Sequence, residues 1–292
     1  MNDAARAGQA DAADSRCYRH PGRPALVRCQ RCARPVCPEC QVQAAVGVQC
    51  PDCVRQAARQ MPAARSALGA PISAGAPVVT ITAIGLCVVA FVAQQVTGGQ
   101  LTWDWMFAPA AVWHQPWRIV TAAFLHGGVL HLAFNMYALW VVGSFMEQLF
   151  GRSRLAALYL GSALGGHALI LAYFRVFDFT DQAAYSGTVG ASGAVFGLFA
   201  AALMAGRRLG SNINGIVGVI GLNLVLSFTV PNISWQGHVG GLLVGGAMAW
   251  AYIHVRPDRR RRRAWVVGVT VPVVVALIVF LTASPWSWSL AA

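Results

Sequence analysis

Ser192, His238, His131, Asn135 and His126 could perform hydrolysis together if the fold makes them converge. A serine hydroxyl becomes a nucleophile when a neighbouring base takes its proton, and histidine is the usual base. An amide or an imidazole N–H can then hold the oxyanion that forms on the attacked carbonyl. All five residues begin or lie within apolar stretches, where polar side chains are costly and mark functional positions. His131 and Asn135 are four apart and share a helix face. Ser192 stands in Gly190-Ala191-Ser192-Gly193, and His238 follows Gly237.

A second set of residues can hold metal. Cys17-x2-His20, Cys29-x2-Cys32, Cys37-x2-Cys40 and Cys50-x2-Cys53 are four pairs, each with a gap that lets both side chains reach one tetrahedral ion. Eight ligands suit two closed, structural zinc sites, which leave no open position for catalysis. Disulfides fit less well, because seven thiols and one imidazole give an odd thiol count in a region expected to face a reducing compartment. The spacing alone leaves open whether consecutive or alternate pairs share an ion. With Val27, Val36, Val42, Val46 and Val48 among its few large apolar side chains, the segment has too small a core to fold without metal. Its role is expected to be structural or partner-binding. Cys87, the eighth cysteine, reads as an inert buried thiol.

The elements that must position these groups are membrane helices. The chain has 292 residues, 57% hydrophobic and only 11% charged, against about 25% charged for a soluble domain. Its net charge of +12 rests entirely on 22 Arg, with no Lys. Those Arg residues cluster before residue 65 and between apolar runs, so the charge suits cytoplasmic membrane surfaces and no nucleic-acid partner is expected. Seven apolar runs are long enough to span a bilayer, at about 77–96, 128–149, 155–174, 189–206, 213–230, 235–254 and 265–283. The polar residues 1–60 form the metal-binding module, with no secretory signal pattern. Residues 61–76, rich in Ala, Pro, Gly and Ser, read as a linker. Residues 77–255 form the catalytic core, and 256–292 a basic loop, a seventh span and a tail.

Arg152 and Arg154, Arg207 and Arg208, and Arg256 with Arg259 to Arg263 fall in every second loop. The positive-inside rule makes those loops cytoplasmic, the N-terminus cytoplasmic and the C-terminus outside, for a multi-pass protein of the plasma membrane. Trp103, Trp105, Trp113 and Trp117 suit an interfacial segment on the outer face. Arg259 to Arg263 could contact anionic lipid, with topology fixing the simpler role. Spans two, four and six then run inward from outside, which brings His126, His131, Ser192 and His238 to similar depth. Gly241-x3-Gly245 lies on the face of span six that carries His238 and permits close helix approach. A close crossing of spans four and six would bring Ser192 within hydrogen-bonding reach of His238, and no acid in the runs is placed to complete a triad.

Trp117-Arg118, His126, His131-x3-Asn135, Glu147-x3-Gly151 followed by Arg154, Gly190-x-Ser192-Gly193, and His238 with Gly241-x3-Gly245 together resemble the rhomboid family of intramembrane serine proteases. The resemblance implies an all-α polytopic fold, six helices plus one C-terminal helix, with Ser192 and His238 as a catalytic dyad and no catalytic cofactor. It also implies oxyanion donors at the Ser192 amide, His131 and Asn135. His126 is assigned to the pocket rim. Phe196 stands where many members have Tyr, so a ring can pack on His238 without a hydroxyl contact. The implied substrates are transmembrane-anchored proteins that enter from the bilayer and are cut near the outer face, aided by helix-destabilising residues. The cysteine pairs resemble a B-box-type zinc finger. That likeness implies alternate pairing, Cys17, His20, Cys37 and Cys40 on one zinc and Cys29, Cys32, Cys50 and Cys53 on the other, and the module is expected to recruit a cytoplasmic partner or substrate tail.

Other intramembrane chemistries do not fit, since the sequence has neither His-Glu-x-x-His nor paired aspartates in its spans. A non-proteolytic rhomboid-like binding or chaperoning scaffold is the rival, against which the intact Ser192 and His238 argue. His167 in span three is expected to be structural, and Asn223 in span five to bond between helices.

Overall fold

The computed structural model describes residues 16–61, 65–71, 75–177, 185–254, and then 267, 268, 270–272, 274, 275 and 278. It divides into two units, Met1–Ala64 and Arg65–Ala292.

The first unit is built around its cysteines. Strands β1 (Val27–Arg28) and β2 (Pro35–Val36) form one antiparallel hairpin, with Val27 opposite Val36. Strands β3 (Val42–Gln43) and β4 (Val48–Gln49) form another, with Val42 opposite Gln49. Helix α1 (Pro51–Gln60) follows, its first turn started by Pro51 and capped by the Cys50 sulfur, which accepts from the Cys53 N–H. The buried cluster consists of Cys17, Cys29, Cys37, Cys40, Cys50 and Cys53 with only Ala25 and Val36. Apolar burial that small is little to hold strands two residues long in place.

The second unit is helical. In chain order it contains α2 (Val78–Val96), the short α3 (Gln100–Trp105) and α4 (Arg118–Thr121), α5 (Val129–Phe150), α6 (Arg152–Phe177), α7 (Ser192–Leu209), α8 (Asn214–Thr229) and α9 (Trp235–His254). The six long helices coincide with the first six apolar runs, and the 97–127 segment folds into two short helices and turns. Of the seventh run, only residues between 267 and 278 are partly described; Val267 and Val271 pack on the core, and the rest lies outside the described residues. Among the described helices, α2, α5 and α6 are long and apolar enough to cross a membrane on composition alone. Helices α7 and α9 are glycine- and alanine-rich and bury much of their length against other helices, so they need less apolar surface.

One stripe of α5, Leu130, Phe134, Tyr137, Val141 and Phe145, is exposed, as are Val78, Leu86, Val89, Val92 and Val96 of α2. In water such faces would be aggregation-prone; in a bilayer they are the ordinary outer surface. The chain is a multi-pass membrane protein.

Two local features fix the frame. The buried carboxylate of Glu147 accepts from the Val79 N–H at 3.1 Å, and from the Thr80 N–H and Thr80 hydroxyl at 2.9 Å each. These are amides that the first turn of α2 leaves without intrahelical partners. The segment expected to be a linker is partly packed: Ser66 Oγ donates to the Leu149 carbonyl at 2.7 Å, Arg154 donates to the Leu68 carbonyl, and Leu68 is buried.

Candidate active site and metal clusters

Glycines bring α6, α7 and α9 together. A Cβ on Gly241 of α9 would fall 2.0 Å from the Gly193 carbonyl oxygen of α7, and one on Gly245 would fall 2.4 Å from Gly197 Cα. On α6, a Cβ at Gly165 or Gly166 would meet the carbonyl oxygens of Gly240 or Gly237 at 2.8 and 2.7 Å. No side chain larger than hydrogen fits these positions, which is the small-residue packing that lets backbones touch.

This crossing sets the candidate dyad. Ser192 is the first residue of α7, so its amide is among the free N–H groups of a helix start. Phe196, one turn on, lies flat against the His238 ring, with centroids 4.3 Å apart and planes 13° from parallel. The stack holds the imidazole over the α7 face that carries Ser192. His238 Nδ1 lies 2.5 Å from Ser227 Oγ on α8, a contact that Ser227's place in an apolar run did not signal.

His131 and Gly190 define the space beside Ser192. The Gly127 N–H donates to His131 Nδ1 at 3.3 Å, so Nε2 carries the ring proton. A Cβ on Gly190 would lie 3.0 Å from His131 Nε2 and 3.5 Å from Ser192 Oγ. Gly190 also has φ of +136°, which glycine alone adopts readily. An imidazole nitrogen and the Ser192 hydroxyl therefore flank a point that this residue keeps clear. Asn135 is buried and donates one amide proton to the His131 carbonyl at 2.9 Å, and its second proton has no acceptor among the described residues.

His126 is buried, with its ring edge-on to His131 at 5.2 Å. Its backbone is bracketed by Gln94 of α2, whose amide oxygen accepts from the His126 N–H at 3.0 Å and whose nitrogen donates to the His126 carbonyl at 3.1 Å. Sequence reasoning missed Gln94, although a glutamine in an apolar span is itself a signal. His126 Nδ1 donates to the Phe124 carbonyl at 3.2 Å, and Nε2 has no partner among the described residues.

Two expectations lie elsewhere. His167 stacks on Phe107 at 4.3 Å and donates to the Ile119 carbonyl at 2.9 Å, tying α6 to the 97–127 segment as a structural histidine would. Among the described residues Asn223 makes no bond between helices; its amide donates to Val219 of its own helix at 2.8 Å, because an i−4 carbonyl lies within reach of a short amide. An apolar groove of about 240 Å³ between α5, α7 and α8 is lined by Phe199 and Ala202, two to three turns along α7 from Ser192, and so is separate from these polar groups.

In the first unit, Cys17, His20, Cys37 and Cys40 bring their ligand atoms within 4.8 Å of one another, and so do Cys29, Cys32, Cys50 and Cys53. His20 Nδ1 lies 3.4 Å from the sulfurs of both Cys37 and Cys40, and Cys32 Sγ lies 3.7 Å from Cys50 Sγ. The cysteines are unbridged. A tetrahedral ion with Zn–S of about 2.3 Å separates its sulfurs by about 3.8 Å, so the donor sets fit zinc. Donors stand around the second set: the Cys50 N–H reaches Cys29 Sγ at 3.2 Å, and Arg34 Nε reaches Cys32 Sγ at 3.3 Å. Burial alone would push the Cys17 and Cys29 thiols up, but backbone N–H donors outweigh it and bring each down to about 6. Burial and neighbouring thiols push Cys40 up to about 11 and Cys53 up to about 12. Each set thus combines at least one thiol held below the ordinary range with one held above it.

Residues 113–255, which include His126, His131, Asn135, Ser192 and His238, match the rhomboid domain. This chain carries a rhomboid domain. It is 34% identical over 191 residues to the rhomboid protease GluP of Bacillus subtilis, covering 61% of this chain and 35% of that protein. It is 38% identical over 149 residues to RHOMBOID-like protein 5 of Arabidopsis thaliana, covering 49% of this chain and 45% of that protein. To the rhomboid protease AarA of Providencia stuartii it is 29% identical over 205 residues, covering 62% of this chain and 67% of that protein. The chain thus spans less than half of the first two relatives. Glu147, which caps α2, and Phe196, which stacks on His238, both lie inside the rhomboid domain.

Proposed function

We propose that the protein is an intramembrane serine endopeptidase that cuts transmembrane-anchored proteins through a Ser192–His238 dyad. The observation that carries this reading is the His238 ring stacked on Phe196 one turn from Ser192, across a glycine crossing that admits no larger residue. Similarity to GluP and AarA, both named rhomboid proteases, supports it.

In the first step Ser192 Oγ attacks the substrate carbonyl while His238 takes its proton. The carbonyl oxygen becomes an oxyanion held by the Ser192 N–H, the His131 Nε2–H and the free amide proton of Asn135, with each donor contributing roughly 3 kcal/mol in comparable sites. Collapse of the tetrahedral centre breaks the C–N bond, and His238 gives its proton to the leaving amine. Water, activated by His238, then attacks the acyl-enzyme and frees Ser192. The polar cluster of His126, His131 and Asn135 gives water a route to Ser192 that an apolar wall would not. Substrate segments must first leave their helical hydrogen bonds, which favours sites with weak helix formers.

The proposed orientation places the first unit in the cytoplasm of a cell with the rhomboid domain in its plasma membrane. Cys17, His20, Cys37 and Cys40 would hold one zinc ion and Cys29, Cys32, Cys50 and Cys53 a second, both structural. Zinc would supply the cross-links that the small apolar cluster lacks. The module then serves to recruit a cytoplasmic partner or substrate tail, and deletion of residues 1–60 should change substrate range in cells.

The deciding experiment is labelling of the protein in liposomes by a fluorophosphonate probe, beside Ser192→Ala and His238→Ala. Labelling of the parent that both substitutions abolish is expected. A folded parent that fails to label, and fails to cleave a transmembrane reporter, would instead favour the binding-scaffold reading.

A further inference from the structure

We propose that Ser227 of α8 is a positioning residue that fixes the tautomer of His238. The inference deepens the dyad reading and depends on it for its catalytic meaning, though not for its geometry.

Ser227 Oγ lies 2.5 Å from two atoms, the Asn223 carbonyl oxygen and His238 Nδ1. A hydroxyl has one proton to donate, and a carbonyl can only accept. The Ser227 proton therefore goes to Asn223, and what Ser227 turns toward His238 is a lone pair. His238 Nδ1 must then carry the ring hydrogen and donate it to Ser227. A neutral imidazole with its hydrogen on Nδ1 has its basic lone pair on Nε2, the nitrogen that the dyad reading needs as the base for Ser192. The reverse tautomer would put two lone pairs against each other at Nδ1 and leave no base for Ser192.

The surroundings show why Ser227 is there. Helix α8 sits lightly on the bundle: Ile220 and Ser227 are its buried residues among those described, and they are seven apart on one face. Ile220 contributes apolar contact. Ser227 is 3% exposed, and a buried hydroxyl needs partners; it finds them in its own helix and in His238. The relay from His238 Nδ1–H through the Ser227 hydroxyl to the Asn223 carbonyl does what the carboxylate does in a triad, which is to orient the ring and select its tautomer. It does so without burying a charge in the membrane.

The test combines a tautomer readout with kinetics. In ¹⁵N-histidine-labelled protein in lipid above the pH range of imidazole protonation, the His238 signals, assigned by their loss in His238→Ala, should show a protonated Nδ1 and an unprotonated Nε2. Ser227→Ala should mix the tautomers and slow fluorophosphonate labelling of Ser192 about tenfold, the worth of one hydrogen bond, measured at a temperature where the variant is still folded. On a transmembrane substrate the loss should fall on kcat and leave KM in place. Ser227→Thr, which keeps the hydroxyl, should restore both the tautomer and the rate. A parent His238 with its proton on Nε2 would overturn the proposal whether or not any variant folds. So would a Ser227→Ala enzyme as fast as the parent, or a Ser227→Thr enzyme as slow as Ser227→Ala. Failure of Ser192 to label in the parent would instead sink the dyad reading, with the tautomer still measurable.

Discussion

The ring of Phe196 supports the ring of His238 face to face, 4.3 Å away, from the α7 face that also carries Ser192. The contact fixes the imidazole plane, while the Ser227 hydroxyl fixes its rotation within that plane. An aromatic pair is worth about 0.5–1.5 kcal/mol beyond its area. Phe196→Leu should therefore slow Ser192 labelling by about three- to tenfold, with little loss of folded protein. Phe196→Tyr, which keeps the ring, should label at the parent's rate. The labelling time course of the three proteins in one lipid preparation is the check.

Close approach of α7 and α9 makes a sharper prediction. Gly241→Ala would put a methyl group 2.0 Å from the Gly193 backbone oxygen, where only a shift of one helix can make room. A Cβ at Gly246, by contrast, would meet Ala200 Cβ at 3.5 Å, an ordinary contact. Gly241→Ala should lower thermal stability, by about 1–3 kcal/mol, and also abolish labelling of Ser192. Gly246→Ala should do neither, which separates loss of helix approach from loss of a glycine.

The six spans were legible because a long apolar run has few other readings, and the polar residues inside those runs were conspicuous for the same reason. Ser192, His238, His131 and Asn135 stood out in that way, and their local context of glycines showed how backbones would meet. Ser227 did not stand out: a serine in an apolar helix normally bonds its own backbone, and its contact with His238 depends on how α8 docks. Gln94 likewise acquires its role only when the His126 peptide folds against it. Residues 65–71 lack periodicity and read as linker, yet Leu68 is buried and Ser66 reaches Leu149. Asn223 was expected to join two helices and instead bonds within α8.

Glu147 tests structure apart from chemistry. Its carboxylate accepts three hydrogen bonds at the start of α2, and Arg152 approaches at 3.7 Å. Glu147→Gln replaces one acceptor oxygen by a donor that faces an N–H. The variant should lose roughly 1.5–3 kcal/mol of stability, the value of hydrogen bonds to a charged group. Because Glu147 touches none of the proposed reacting groups, the fraction that remains folded should label at the parent's rate. Thermal unfolding in detergent, followed by labelling normalised to folded protein, measures both.

The two cysteine clusters predict both a metal count and its distribution. Purified protein should carry two zinc ions per chain, one for each four-ligand set, and chelation should unfold the first unit without changing Ser192 labelling in detergent. Cys17 and Cys37 belong to one set. The double variant Cys17→Ser, Cys37→Ser should therefore keep one zinc ion, whereas sharing of metal by consecutive pairs would cost it both. Elemental analysis of the parent and the double variant decides between the two arrangements.

Gly190 makes the last prediction because two independent constraints meet there. Its φ of +136° excludes most side chains on backbone grounds, and its missing Cβ leaves open the point 3.0 Å from His131 Nε2 and 3.5 Å from Ser192 Oγ. If that point is where the oxyanion forms, Gly190→Ala blocks it and His131→Ala removes a donor to it. Each should lower kcat by about 10²–10³-fold, the cost of one oxyanion contact. The two losses should not add, since either removes the same interaction. Independent, multiplying losses in the double variant would mean that Gly190 acts through the backbone alone, and that His131 serves something other than the oxyanion.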